Sequence, residues 1–134
     1  MIEKVIPNVL YKLSPLISRI LIAIIFIFAG YGKIMDPMST QAYMNTMGMG
    51  ATTFFLVCAI IIEIVGGVSI LLGYYTRIGA LLLIIFLLPT TIIFHTDFSS
   101  QVQVIMFLKN LAIMGGLFSL LANGSGAYSI DEKR

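Results

Sequence analysis

Four runs of about 20 apolar residues leave this chain little choice of architecture. They cover 16–34, 51–72, 76–94 and 102–122. Lipid offers the backbone no hydrogen-bonding partner, so each run must satisfy its own amides as a helix. The links at 73–75 and 95–101 are short, which turns successive helices antiparallel. The prediction is an all-α membrane protein: a four-transmembrane-helix up-down bundle forming one domain over 1–134.

Composition narrows the function classes. The chain is 59% hydrophobic and 10% charged, against about 25% charged residues in soluble domains. A net charge of +2 with no Lys/Arg cluster excludes nucleic acid as a partner and leaves the lipid bilayer. Cys58 stands alone, so neither an internal disulfide nor CxxC chemistry is available, and its apolar run reads as the setting of an inert thiol. His95 is the single histidine; with one cysteine, too few ligands remain for a metal site.

Basic residues set an orientation. Lys4, Lys12, Arg77, Lys133 and Arg134 fall on one side of the bundle, with Arg19 just inside it, and Lys33 falls on the other. Cytoplasmic flanks are the basic ones, so both termini are expected in the cytoplasm. A cleaved leader is the competing reading of the first run. That run lacks a small-x-small cleavage site and carries Arg19 within it.

The long first link holds a helix signal. Asp36-Pro37 reads as an N-cap followed by proline at the first helical position. A short helix over Met38 to Met47 follows, ending near Gly48 or Gly50, and lies on the outer face. Its methionines make it either a plug for the bundle mouth or a gate, and methionine as a general gap filler favours the plug.

Three charges sit inside the apolar runs: Arg19, Glu63 and Lys109. Such residues cost roughly 2.5–3.5 kcal/mol each at a span centre on insertion scales and usually have partners or a job. Glu63 lies about 18 Å below the outer edge of the second span. Gly66 and Gly67 follow at i+3 and i+4 on its face, where small residues let another helix approach, so Glu63 is expected to point into the bundle. There it serves as a structural tie or as a proton carrier. Lys109 and Asn110 lie roughly 10 Å from the outer edge of the fourth span, near enough for Lys109 to reach Glu63. Arg19 is about 5 Å from the inner edge and either rises toward Glu63 or snorkels to the headgroups, the nearby helix end favouring the second. Arg77 is a further inner-face charge. Lys33 and His95 close their spans on the outer side, so the candidate buried polar cluster is Glu63, His95, Lys109, Asn110 and Lys33. His95 is either an interfacial hydrogen-bonder or a working base. Pro89 inside the third span frees a carbonyl and predicts a kink, with Thr90 and Thr91 at hand to satisfy it.

These landmarks, in this order, resemble the DoxX family over about Ser18 to Asp131. They are Arg19, then Gly30-Tyr31-Gly32-Lys33, then Tyr43-Met44 before Met-Gly-Met-Gly. Glu63 with Gly66-Gly67 follows, then Leu72-Gly73-Tyr74-Tyr75-Thr76-Arg77, His95, and Phe107-Leu108-Lys109-Asn110 with Gly115-Gly116. The tail runs from Gly124 to Asp131, with Gly-Ser-Gly where the family pattern has Gly-Pro-Gly. The resemblance implies a four-helix protein of the bacterial inner membrane. Some relatives are subunits of thiosulfate:quinone oxidoreductases and others associate with redox-defence enzymes.

The expected function is therefore a membrane subunit of a quinone-linked oxidoreductase or redox-defence system. Glu63, His95 and Lys109 would stand near a quinone, and a partner enzyme would supply the electrons, since the chain has no motif for a haem, flavin or iron–sulfur cluster of its own. The alternatives are a non-catalytic scaffold, in which the buried charges fix helix register, and a small transporter. A lysine beside the central carboxylate argues against the transporter, because it would repel cationic substrates.

Overall fold

The computed structural model describes residues 7–133. Lys4 and Arg134, used above for orientation, lie outside the described residues. Six helices form among them: α1 Asn8–Met35, α2 Pro37–Thr46, α3 Thr52–Leu72, α4 Thr76–Phe94, α5 Gln101–Asn123 and α6 Ile130–Lys133. Of these, α1, α3, α4 and α5 are long and apolar enough to cross a membrane. The first begins at Asn8 instead of near residue 16, passing through Pro15. Hydropathy marks only the part of a helix that sits in hydrocarbon, and α1 continues beyond it.

The long helices form a ring. α1 packs on α3, α3 on α4, α4 on α5, and α5 closes back on α1. Their shared core includes Ala23, Phe26, Ile70, Leu83, Met114 and Leu117. The outward faces carry bare apolar side chains such as Phe28, Ile61 and Ile85, as lipid-facing surfaces do. Glycines set the closest approaches. A Cβ on Gly67 would lie 2.8 Å from Ile27 Cγ1, and one on Gly66 would lie 2.8 Å from Leu83 Cγ. The face that Glu63 shares with these glycines therefore does turn inward, against both neighbours of α3.

Helix ends follow local rules. Asp36 accepts a hydrogen bond from Ser39 N (3.2 Å), with Pro37 at the first helical position, as its sequence predicts. α2 stops at Gly48, whose φ is +78°. Gly48 N donates to Asn45 O and Met49 N to Met44 O, the paired bonds of a Schellman ending. α4 stays helical through Pro89, and Thr90 Oγ1 donates to Phe86 O at 2.7 Å.

The two ends of the bundle are built differently. At one, α2 lies against α3 and α1, with Met44 buried. At the other, the tail after α5 folds back beneath the α3–α4 turn. Asp131 Oδ1 and Oδ2 accept from Tyr75 N and Thr76 N, each at 2.8 Å, and Asp131 N donates to Gly73 O at 2.7 Å. Gly73 ends α3 at φ +66°, and a side chain there would collide with Ser129 and Arg19.

Arg19 corrects an expectation. It neither rises to Glu63 nor snorkels; it is fully buried. Nη1 donates to Leu71 O (3.0 Å) and Ile70 O (3.4 Å), and Nη2 to Tyr128 O (2.8 Å) and Ala127 O (3.3 Å). Of these α3 carbonyls, Ile70 O also accepts from Gly73 N at 3.2 Å, and Leu71 O, one of the end groups that the helix ladder cannot serve, takes its bond from the arginine. The guanidinium fork serves them and the tail together.

Candidate functional site

The charge in the middle of the bundle is paired. Lys33 Nζ stands 2.9 Å from both Glu63 Oε1 and Oε2. The Glu63 side chain is 5% exposed and that of Lys33 20%. Gly30 makes the pair possible. It sits one turn before Lys33 on the same face of α1, and a Cβ there would lie 2.7 Å from Ile64 Cδ1 and 3.3 Å from Glu63 Cβ. With only a hydrogen at Gly30, α1 lies directly on α3 beside the carboxylate.

This level contact also explains how a residue at the end of one span meets a residue in the middle of another. Beyond Gly30, α1 runs about 8 Å to Met35, whereas α3 extends about 17 Å from Glu63 back to Thr52. The bundle therefore has a step of about 9 Å at this end. α2 fills it, lying beside the exposed start of α3. Gln41 Nε2 donates to Thr53 Oγ1 at 2.9 Å, and the Tyr43 ring stacks on Phe94 with centroids 5.1 Å apart.

Under α2 lies a cavity of about 560 Å³ between the facing halves of α3 and α4. Its walls are mainly apolar, including Met44, Phe55, Ile62 and Phe86. Lys33, Glu63, Thr90 and His95 bring polar groups to it. The size falls within the range of small-molecule sites, which are usually apolar with a few placed polar groups. His95 caps α4, and its Nδ1 is 2.9 Å from Gln103 Oε1, which fixes the ring against α5.

The expected cluster is therefore divided. Glu63, Lys33 and His95 border one cavity. Asn110 is buried and donates from Nδ2 to Thr91 Oγ1 at 3.0 Å, tying α5 to α4. Lys109 does not reach Glu63; its Nζ lies 3.5 Å from Met106 Sδ on its own helix. Ring order is the reason. α1 and α4 flank α3, and α5 stands diagonally across from it. Arg77 is at the tail end, lining a separate polar hollow with Asn123 and Asp131.

Two features escaped the sequence reading: the choice of Lys33 as partner to Glu63, and the grip of Arg19 and Asp131 on the tail. The first had a signal, since Gly30 precedes Lys33 by three residues as Gly66 follows Glu63 by three. The second had none beyond an acidic residue after a glycine-rich stretch.

Comparison with known proteins follows the same outline. The DoxX family's sequence profile matches residues 14–96. The chain is 47% identical over 117 residues to inner membrane protein YqjF of Escherichia coli (strain K12), covering 87% of this chain and 88% of that one. It is 33% identical over 123 residues to inner membrane protein YphA of the same organism, covering 88% of each. No solved structure matches.

Proposed function

Because the chain belongs to the DoxX family, we propose that it is a bacterial inner-membrane protein serving as the membrane subunit of a quinone-linked oxidoreductase. The observation that carries this reading is an ion pair opening onto an apolar cavity within the span. Both relatives are named inner membrane proteins, which supports the compartment. Lys12, Arg77 and Lys133 gather at the tail end against Lys33 at the α2 end, which supports cytoplasmic termini.

The residues suit such a ligand. A quinone needs an apolar slot with hydrogen-bonding and proton-exchanging groups near its oxygens. When bound it supplies two-electron, two-proton chemistry, with electrons delivered by a partner enzyme. Lys33 Nζ has three donors and shares them between the two Glu63 oxygens. It can turn one donor to a ligand oxygen without abandoning the carboxylate. Glu63 can hold or pass a proton at Oε1 or Oε2, and His95 is a second exchanging group on the same wall.

The test is binding by purified protein. A short-tailed ubiquinone analogue is expected to raise the thermal unfolding midpoint, and Glu63→Gln or Lys33→Met to abolish the rise. Lys109→Ala, away from the cavity, should leave it unchanged. No rise with the native chain would defeat the reading.

A non-catalytic scaffold is the second reading, favoured by the closed two-oxygen geometry of the pair. It predicts that a Lys33→Met/Glu63→Met double variant still co-purifies with its partner and retains cellular activity. A folded double variant without activity excludes it.

A further inference from the structure

The cavity under α2 is covered on its end and bare on one side. At the end, Met44 is 5% exposed and Tyr43 stacks on Phe94, so α2 acts as a roof. On the side, three cavity-lining residues are open: Phe55 at 43%, Ile85 at 56% and Ile93 at 40%. They belong to α3 and α4, and Pro89 between the last two is exposed as well.

The packing of these two helices accounts for the gap. Toward the tail end they touch closely, with Gly66 against Leu83 and Gly79 against Ser69. Toward the α2 end the cavity lies between them, where 55–62 faces 85–94. α4 also carries Pro89 there, which leaves one carbonyl without its helical donor and loosens the ladder on that stretch. The side opening lies between two helices long and apolar enough to cross a membrane, with apolar side chains around it, as a lipid-facing mouth would have.

We propose that this cavity is loaded sideways from the bilayer, between the α2-proximal halves of α3 and α4, by an amphiphile with a hydrogen-bonding ring head and a long apolar tail. The head reaches Lys33 and Glu63, and the tail trails past Ile85 and Ile93 into lipid. As a substrate class this rests on the quinone reading and selects long-tailed, membrane-dissolved quinones over short, water-soluble ones. The route itself rests on the opening alone. A tailed ligand that passes between helices keeps its methylenes in hydrocarbon throughout, whereas a path under α2 would drag them across the polar end of the bundle.

Two photoreactive probes in liposomes test it: a decyl-tailed ubiquinone with a diazirine at the tail end, and a fatty alcohol of equal length with the same group. The full-length native protein is irradiated with each, and adducts are mapped by mass spectrometry. The quinone probe is expected to label Phe55, Ile85 and Ile93 severalfold above Leu108 and Leu111, which are equally lipid-exposed on α5. The variant Ile85→Trp, which plugs the mouth, should cut labelling of Phe55 and Ile93 severalfold, and Leu111→Trp should not, both folding with native-like unfolding midpoints. Labelling confined to Thr40 and Tyr43 on α2, or spread evenly over all helices with both probes, overturns the proposal. If the fatty alcohol marks the α3–α4 mouth but the quinone probe shows no excess over it, the side route stands and the quinone assignment fails.

Discussion

Arg19 and Asp131 grip the same turn from its two sides. Arg19 holds the last carbonyls of α3, at Ile70 and Leu71, while Asp131 caps the first amides of α4, at Tyr75 and Thr76. Both tie the tail to this turn: Arg19 donates to Tyr128 O, and Asp131, itself in the tail, also donates from its backbone N to Gly73 O. The orphan groups of two helix ends are thereby satisfied at one hairpin, by residues far apart in sequence. They add to the turn's own bonds, in which Gly73 N and Tyr74 N donate to Ile70 O and Ser69 O and Ser69 Oγ donates to Tyr74 O.

Removing the guanidinium should free the tail. Arg19→Leu leaves buried carbonyls unsatisfied, and hydrogen bonds to charged groups contribute about 1.5–3 kcal/mol each. A loss of at least about 3 kcal/mol is expected in detergent unfolding, with fast hydrogen exchange over 124–133. Arg19→Lys should recover little, since an ammonium lacks the planar fork that meets carbonyls on both sides.

Asp131→Ala should destabilise by roughly 1–2 kcal/mol, the range for lost N-caps. Exchange of the Tyr75 and Thr76 amides should accelerate and the tail should become sensitive to protease. Asp131→Asn should retain part of the effect. If the amides stay protected in the alanine variant, the cap is not what holds the turn.

The Lys33–Glu63 pair should behave as a unit. Lys33→Met alone strands a carboxylate that is 5% exposed, and single removals from buried pairs cost about 3–5 kcal/mol. The double Lys33→Met/Glu63→Met variant should lose less than either single one. A double-mutant cycle is expected to return a coupling of about 1–3 kcal/mol. Additive losses would show that the two groups do not depend on each other.

Two glycine substitutions should differ in sign. Gly66→Ala drives a methyl to 2.8 Å from Leu83, which is fully buried and has no room to yield, so overpacking of about 1–3 kcal/mol is expected. Gly115→Ala meets nothing within 4 Å and should stabilise the helix by up to about 1 kcal/mol. Unfolding midpoints of the two variants in one detergent settle the comparison.

Much of this protein could be read from residues alone, for physical reasons that differ by element. The spans are legible because lipid forces apolar helices. α2 is legible because Asp36-Pro37 is a local start signal whose capping bond forms within three residues. Glu63 is legible as inward because Gly66 and Gly67 mark its face. What stayed hidden depends on geometry between elements. Aligning every helix with the same membrane edges placed Lys109 within reach of Glu63 and Lys33 above it. The actual partner follows from the level of the Gly30–Glu63 contact and from the order of helices around the ring. Arg19 was hidden for a similar reason: its acceptors at Tyr128 and Ala127 are more than a hundred residues away, and nothing nearby announces them.

The unequal heights of α1 and α3 have a mechanical consequence. A single residue, Asp36, separates the last turn of α1 from the first of α2. Lys33 and the covering helix therefore belong to one continuous stretch of chain bent once at Asp36, so the cation beside the hollow and the roof above it are anchored by the same short piece of backbone.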